Sequence, residues 1–194
     1  MSKWIALASP HDPTSFDAIC REAAGPAGRV VLSCRVEGDK PLFADPRQAP
    51  TTMVELWAKG VSPGPLGFAS LYGVDERIER DELPAGAYGP RLVAGWRRRP
   101  ELDKRTAARL WDEHVPLALA VHRGAARYVR HRIVAAPVDA PPLDGIAILD
   151  FATEEDFRER RYVPPEADRL IAADIARFAE TFWAILMRRP NDHS

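Results

Sequence analysis

Cysteine is scarce in this chain, with only Cys20 and Cys34 in 194 residues. They form no CxxC pair, and one bridge cannot staple a chain this long. The expectation is a cytoplasmic protein with reduced thiols in its core. Surplus charge is lacking too. Lys+Arg number 27 against 28 Asp+Glu, a formal net charge of −1, which argues against a nucleic-acid binder built on a basic stripe. No apolar run approaches the ~20 residues of a membrane span, and the stretch after Met1 is too short for a secretory leader. Disorder is disfavoured, because 46% of residues are hydrophobic and the net charge is low. G-x-G-x-x-G, P-loop, G-x-S-x-G and H-E-x-x-H motifs are all missing. The five histidines are scattered with no close pair at ligand spacing, so no metal is expected. Lysine is rare, limited to Lys3, Lys40, Lys59 and Lys104.

Eighteen prolines and twelve glycines punctuate the chain into short elements. In the first half, strands are expected over 4–9, 29–37 and 52–58, with a helix from Thr14 or Ser15 to about Ala24. Residues 74–80 read as a short edge strand or a linker. In the second half a strand over 92–98 leads to Asp103, an N-cap. A helix follows with Ala107, Leu110, Trp111, His114, Leu117, Ala118 and Val121 on one stripe. Pro116 predicts a kink or break within it. Strands follow over 128–134 and 146–151. A helix capped by Thr153 is expected to break at Pro164-Pro165 and resume over 166–180, before a last strand over 181–188. From residue 91 the order is β-α-β-β-α-β, the ferredoxin-like order. The first half shows β-α-β-β and a weaker remainder. Thr51-Thr52-Met53-Val54-Glu55-Leu56-Trp57-Ala58 holds the place in half one that Asp144-Gly145-Ile146-Ala147-Ile148-Leu149-Asp150-Phe151 holds in half two. The expected fold class is therefore α+β, with tandem ferredoxin-like units over 1–90 and 91–190. Their sheets would meet face to face as an intramolecular dimeric α/β barrel. The helix-covered faces would be packed, and the inner faces would line a pocket.

The second half carries Arg97-Arg98-Arg99-Pro100 with Leu102, then Trp111-Asp112-Glu113-His114-Val115-Pro116 and Tyr128-Val129-Arg130-His131. Asp144-Gly145-Ile146-Ala147 and Asp174-Ile175-Ala176-Arg177-Phe178 follow. In this order and spacing, residues 91–188 resemble the EthD family, and 1–90 would be a degenerate tandem copy. The resemblance implies a ferredoxin-like fold pairing into a dimeric α/β barrel. It also implies chemistry in the oxidative breakdown of ethers, or ring-forming and dehydrating steps on aromatic polyketides. Related barrels include cofactor-free monooxygenases, and some bind haem. The family's Ala-Glu-(Val/Leu)-Trp-Phe strand is altered here, with Ile148 and Asp150 replacing its Glu and Trp. Glu55-Leu56-Trp57 looks like the missing run.

Several residues are candidates for chemistry, each with a plainer structural reading. His114 shares the stripe of Leu110 and Trp111 beside Pro116. It is either an acid/base facing a cavity or a core histidine bonded to a backbone carbonyl. On the next strand, Val129, His131 and Ile133 share one face, while Tyr128, Arg130, Arg132 and Val134 share the other. Tyr128 and His131 therefore address different spaces. Each is either a substrate contact or a packing residue. Asp150, on the face of Ile146 and Ile148, is either a cavity acid/base or the partner of an arginine such as Arg97 or Arg98. Glu55 and Trp57 share a face, as proton acceptor and stacking wall or as a solvated edge. Trp111 would be a further apolar wall. Arg97 begins a basic run that either holds an anionic substrate or lies solvated.

The function expected is an enzyme acting on an aromatic or polyketide-like small molecule, an oxidoreductase or a lyase/dehydratase. It would use acid/base or cofactor-free oxidative chemistry. The alternatives are a non-catalytic ligand-binding or accessory protein of an oxidative catabolic pathway, or an interaction module with a filled pocket. No cofactor is predicted, with a haem on one histidine such as His114 as the alternative. The partner expected is a small-molecule substrate, with no nucleic acid and no membrane. Relatives of this architecture often associate, which leaves a homodimer open.

Overall fold

Short runs rich in Val, Ile, Leu and aromatic residues, bounded by glycine, proline or acidic turn residues, form the eight strands. The computed structural model describes residues 2–8, 18, 21–22, 28–35, 50–58, 70–87, 89–164 and 166–188. The strands are β1 (Ser2–Ala8), β2 (Arg29–Arg35), β3 (Thr52–Ala58), β4 (Ser70–Asp81), β5 (Arg91–Arg98), β6 (Ala125–Ala135), β7 (Gly145–Phe151) and β8 (Ala179–Arg188). The helices are α1 (Lys104–Val121), α2 (Glu154–Arg160) and α3 (Ala167–Ile175). Of the helix expected over 14–24, only Ala18, Arg21 and Glu22 are described, and they are helical; the rest, with Cys20, lies outside the described residues.

The strands close into an antiparallel barrel in the order β1-β3-β2-β8-β5-β7-β6-β4. The first four strands thus lie as β4-β1-β3-β2 and the last four as β8-β5-β7-β6. One seam joins β4 to β6, from Gly73↔Ala135 to Asp81↔Arg127. The other joins β2 to β8 at Cys34↔Arg188 and Arg35↔Met187. The β2–β8 seam is the short one, two residue pairs against eight at β4–β6.

Residues 74–80 are strand and not linker: Val74 faces both Lys3 of β1 and Ile133 of β6, while 75–80 lie against β6 alone and form an edge on the other side. Two expectations are corrected here. Helix α1 runs through Pro116 to Val121 without ending there. Trp111, His114, Val115, Ala118 and Val121 are buried on both sides of the proline, and their packing outweighs the roughly 3 kcal/mol that an interior proline costs. The helix expected to reach residue 180 stops at Ile175, and a turn over 176–178 hands the chain to β8 at Ala179. At the start of α1, Asp103 accepts from Thr106 N at 2.6 Å, as an N-cap should.

Side-chain alternation gives each strand two faces. Toward the barrel axis, Ile5, Leu7, Met53, Tyr72, Val93, Ile146, Ile148, Trp183, Ile185 and Met187 form one core. On the outside of the second half, Leu92, Ala94, Tyr128, Leu149 and Ala184 pack against α1 and α3. The pocket expected along the axis is therefore filled among the described residues. Gly95 shows how tightly. A Cβ there would fall 2.2 Å from the Trp183 ring. Gly95→Ala is expected to destabilise the protein by about 1–3 kcal/mol through overpacking. A urea midpoint equal to wild type would refute that packing.

Candidate functional site

The hollow lies on the other face, between the β5–β8 sheet and the helices. It is a cavity of about 50 Å³ walled by Trp96, Trp111, Ala118, Ile171, Ile175 and Phe178, with His114, His122, Tyr128 and Tyr162 also lining it. The expected location was inverted for a physical reason. Both faces of these strands are apolar, and the large side chains Trp183, Tyr72 and Met187 happen to point inward and fill the axis. Trp96, Trp111 and Phe178 instead meet edge to face, with centroids 5.0 Å apart, and leave a gap beside them. Gly145 permits this arrangement. A Cβ there would stand 2.5 Å from Trp96 Nε1 and 2.7 Å from the Trp111 ring.

His114 projects from α1 into this cavity and is 6% exposed. Its partner is not a carbonyl but a carboxylate: Nδ1 lies 2.8 Å from Asp174 Oδ2. Asp174 is held in turn by Arg177 Nη1 at 2.7 Å. Burial raises the Asp174 pKa, but the bonds from Arg177 and His114 outweigh it and hold the carboxyl below its ordinary value. Burial also lowers His114, more than Asp174 raises it. The imidazole is thus neutral near pH 7, with Nδ1–H donated to Asp174 and Nε2 left as a lone pair. Tyr128 comes from β6 and is 3% exposed. Burial keeps its phenol protonated far above the ordinary range. No group among the described residues hydrogen-bonds its hydroxyl, and the residue lines the cavity.

The barrel axis holds the remaining candidates in one ionic network. Lys3 Nζ lies 2.8 Å from Glu55 Oε1 and 2.8 Å from His131 Nε2, and it also contacts the Glu76 carboxylate. Glu55 Oε2 receives Arg91 Nη1 at 2.5 Å. Arg91 forks onto Asp150, at 2.5 Å and 3.1 Å, and reaches Ser33 Oγ at 3.2 Å. Burial pushes the Glu55 pKa up, but Arg91 and Lys3 overcome this and drive it far below the carboxylate range. The hydrogen bond with His131 leads the causes that take Glu76 to about 2. Burial lowers His131. Glu55, Glu76 and His131 place ligand atoms within 4.8 Å of one another, the spacing of a metal site. The Lys3 ammonium stands among those atoms and supplies the positive charge itself.

The sequence-expected residues thus divide between two spaces. His114, Tyr128 and Trp111 line the helix-side cavity. His131, Asp150 and Glu55 lie on the axis, where Trp57 is half-buried with Lys3 Nζ 4.4 Å from its ring centroid. Asp150 does pair with arginine, but with Arg91 and Arg127 rather than Arg97 or Arg98, because register sets Arg91 opposite it. Arg97 is 46% exposed in its side chain and lies 3.9 Å from Glu180, away from both spaces. Arg98 takes Asp144. Sequence reasoning missed Lys3, Glu76, Arg91 and Asp174. Lys3 had a signal, since alternation puts it on the buried face with Ile5 and Leu7. Asp174 stood in the EthD-like run 174–178, but nothing tied it to His114, 60 residues away.

The histidines set an acid response. His114, His122 and His131 all have folded pKa values below the ordinary 6.5, with His122 taken to about 4 by burial. On acidification the unfolded chain therefore binds protons first. Stability is greatest above about 6.5 and is lost as pH falls through the folded values. The Tm is expected to fall between about pH 7 and pH 4, and less steeply in His122→Asn. A flat profile in the wild type would contradict the burial of these rings.

Fold and site together define a closed antiparallel α+β barrel with a small helix-side cavity holding a carboxylate-oriented imidazole. Residues 99–181 match the family model for the EthD domain. No curated protein matches the chain. Among solved structures, an anthrone oxidase-like protein superposes with a TM-score of 0.65 at 10% identity, covering 98% of this chain and 91% of the other. A proposed monooxygenase from Fusobacterium nucleatum gives 0.56 at 8% identity, covering 97% and 91%. Another from Lactobacillus acidophilus gives 0.53 at 9%, covering 96% and 92%. At these identities the likeness is one of fold. No helix among the described residues is long and apolar enough to cross a membrane.

Proposed function

We propose that the protein is a small-molecule enzyme that deprotonates an aromatic, polyketide-like substrate in the helix-side cavity and leaves the substrate anion to react with O₂. One observation carries this reading: the Asp174-oriented His114 and the unpartnered hydroxyl of Tyr128 line the same cavity. His114 Nε2 takes the proton, Tyr128 donates to the substrate oxygen, and Trp111 packs against the ring. For an anthrone, the chemistry named by one structural neighbour, a ring CH₂ and O₂ become C=O and water. The substrate supplies all four electrons, so no cofactor enters the scheme. Entry of a ring requires the wall to move, since a cavity of about 150 Å³ is what accommodates benzene. Ile171 and Ile175 place α3 in that wall.

The scaffold for this site is, in our reading, a tandem of two ferredoxin-like units over 1–90 and 91–190. The repeated order β4-β1-β3-β2 and β8-β5-β7-β6 supports it. Laying Trp57 on Asp150 places Lys3 on Arg91, through the registers Lys3↔Trp57 and Arg91↔Asp150. It also places Ser33 on His131, the partners of Met53 and Ile146. The axial contacts then obey a two-fold: Lys3 reaches across to His131, and Arg91 reaches back to Ser33. The seams share the same register, Cys34↔Arg188 at one and Arg132↔Asp75 at the other. On this reading His131, Asp150 and Glu55 lock the halves together, and catalysis is left to the other face.

The test is oxygen uptake by the purified, metal-depleted protein with anthrone in air, against His114→Gln. Uptake by the wild type that falls at least about a hundredfold in the variant supports the base. Binding without uptake would favour the accessory-protein reading, which the small volume of the cavity also supports. Uptake unchanged in His114→Gln would exclude His114 as the base.

A further inference from the structure

Resting on that cavity as the ligand site, we propose that His122 is its second binding residue, and that the site takes a planar fused-ring ligand bearing a hydroxyl at each end. His122 caps the C-terminus of α1 and is 6% exposed. Its Nδ1 lies 2.6 Å from the Arg161 carbonyl oxygen. A carbonyl only accepts, so Nδ1 carries the proton and Nε2 is a lone pair. The ring is held over Tyr162, with centroids 5.1 Å apart. Its Nε2 meets no hydrogen-bond partner among the described residues, although the residue lines the cavity.

His114 has the same form: Nδ1 tied to a protein oxygen, Nε2 without a described partner, the ring on the cavity wall. The two are eight residues apart, about 12 Å along the helix axis at 1.5 Å per residue. A ligand with one hydroxyl meets only one of the two lone pairs. A fused bicyclic or tricyclic skeleton with a hydroxyl at each end can donate to both lone pairs, while its apolar faces lie against Trp111, Ala118 and Ile171. One imidazole is oriented by a carboxylate and the other by a neutral carbonyl. Only the first gains a charge-assisted bond when it takes up a proton. His114 is therefore the base, and His122 reads the far hydroxyl.

Calorimetric titration of the full chain with 2,6-dihydroxynaphthalene and with 2-naphthol tests the assignment. The wild type is expected to bind the diol at least about tenfold more tightly than the mono-ol, the worth of one added hydrogen bond. His122→Asn keeps a donor to the Arg161 carbonyl but loses the Nε2 acceptor, so the two ligands should bind it equally. His122→Gln, whose amide reaches the Nε2 position, should restore part of the preference. Equal binding of both ligands by the wild type would overturn the role of His122 and leave the cavity reading intact. A preference that survives in His122→Asn, with the Tm showing that variant folded, would overturn it as well. Heat from neither ligand would overturn the cavity reading itself.

Discussion

Arg91→Met is expected to destabilise the protein by about 3–5 kcal/mol, read as a lowered midpoint in urea. The guanidinium is 1% exposed and serves two carboxylates, Glu55 and Asp150, together with Ser33. Methionine fills similar space but removes the Arg91 bond from Glu55 and the two-point fork from Asp150, while Lys3 stays on Glu55 and Arg127 stays 3.3 Å from Asp150. Desolvation, the largest influence on Glu55, is then less opposed. The sign of the pH dependence follows. In the variant, folding raises the carboxylate pKa relative to wild type, so the deficit should shrink as pH falls toward the ordinary carboxylate value of 4.5. Replacing Arg91, Glu55 and Asp150 together with apolar residues of similar volume should recover much of the loss, since the ions are then removed as a set. A deficit below about 1 kcal/mol for Arg91→Met, or one independent of pH, would mean that the network contributes little to the fold.

Asp174→Asn is expected to lower turnover by about 10²–10⁴-fold while leaving the fold in place. The carboxylate accepts from His114 Nδ1 at 2.8 Å and so keeps Nε2 free of a proton. An amide can present its NH₂ to Nδ1 instead. That selects the opposite tautomer, puts the proton on Nε2 and removes the base without moving the ring. Arg177→Ala is the control. It removes the guanidinium bonded to Asp174 Oδ1 and leaves the Oδ2 contact to His114, so its effect should be far smaller. Equal losses in the two variants would show that α3, and not the tautomer, is what matters. Turnover undiminished in Asp174→Asn would remove the pair from the mechanism.

Much of the barrel can be read along the chain because each strand carries its own boundary. The strand expected over 52–58 coincides with β3, and β6 and β7 lie within a few residues of expectation, since period-two alternation and flanking Gly, Pro and Asp are local signals. The opposite facing of Tyr128 and His131 was equally readable, because alternation alone decides it. The partners were not. An arginine-rich chain offers Asp150 many bases, and only the β5–β7 register selects Arg91. The choice between edge strand and linker for 74–80 stayed open along the chain for a similar reason, and pairing with β6 decided for the strand. Glu76, Arg77 and Glu79 make β4 look solvated, yet Glu76 points at Lys3 and Glu79 at Arg130.

By itself the sequence determined the second-half β-α-β-β-α-β order, the EthD-like segment and the division of β6 into two faces. Each of these depends on residues close together in the chain, where propensity and alternation act. The tertiary structure alone decided that the axis is filled and the hollow lies under the helices, that Lys3 and Arg91 join the two halves, and that Asp174 orients His114. Those outcomes turn on which side chains of distant strands meet and how their volumes and charges fit, and no local pattern encodes that.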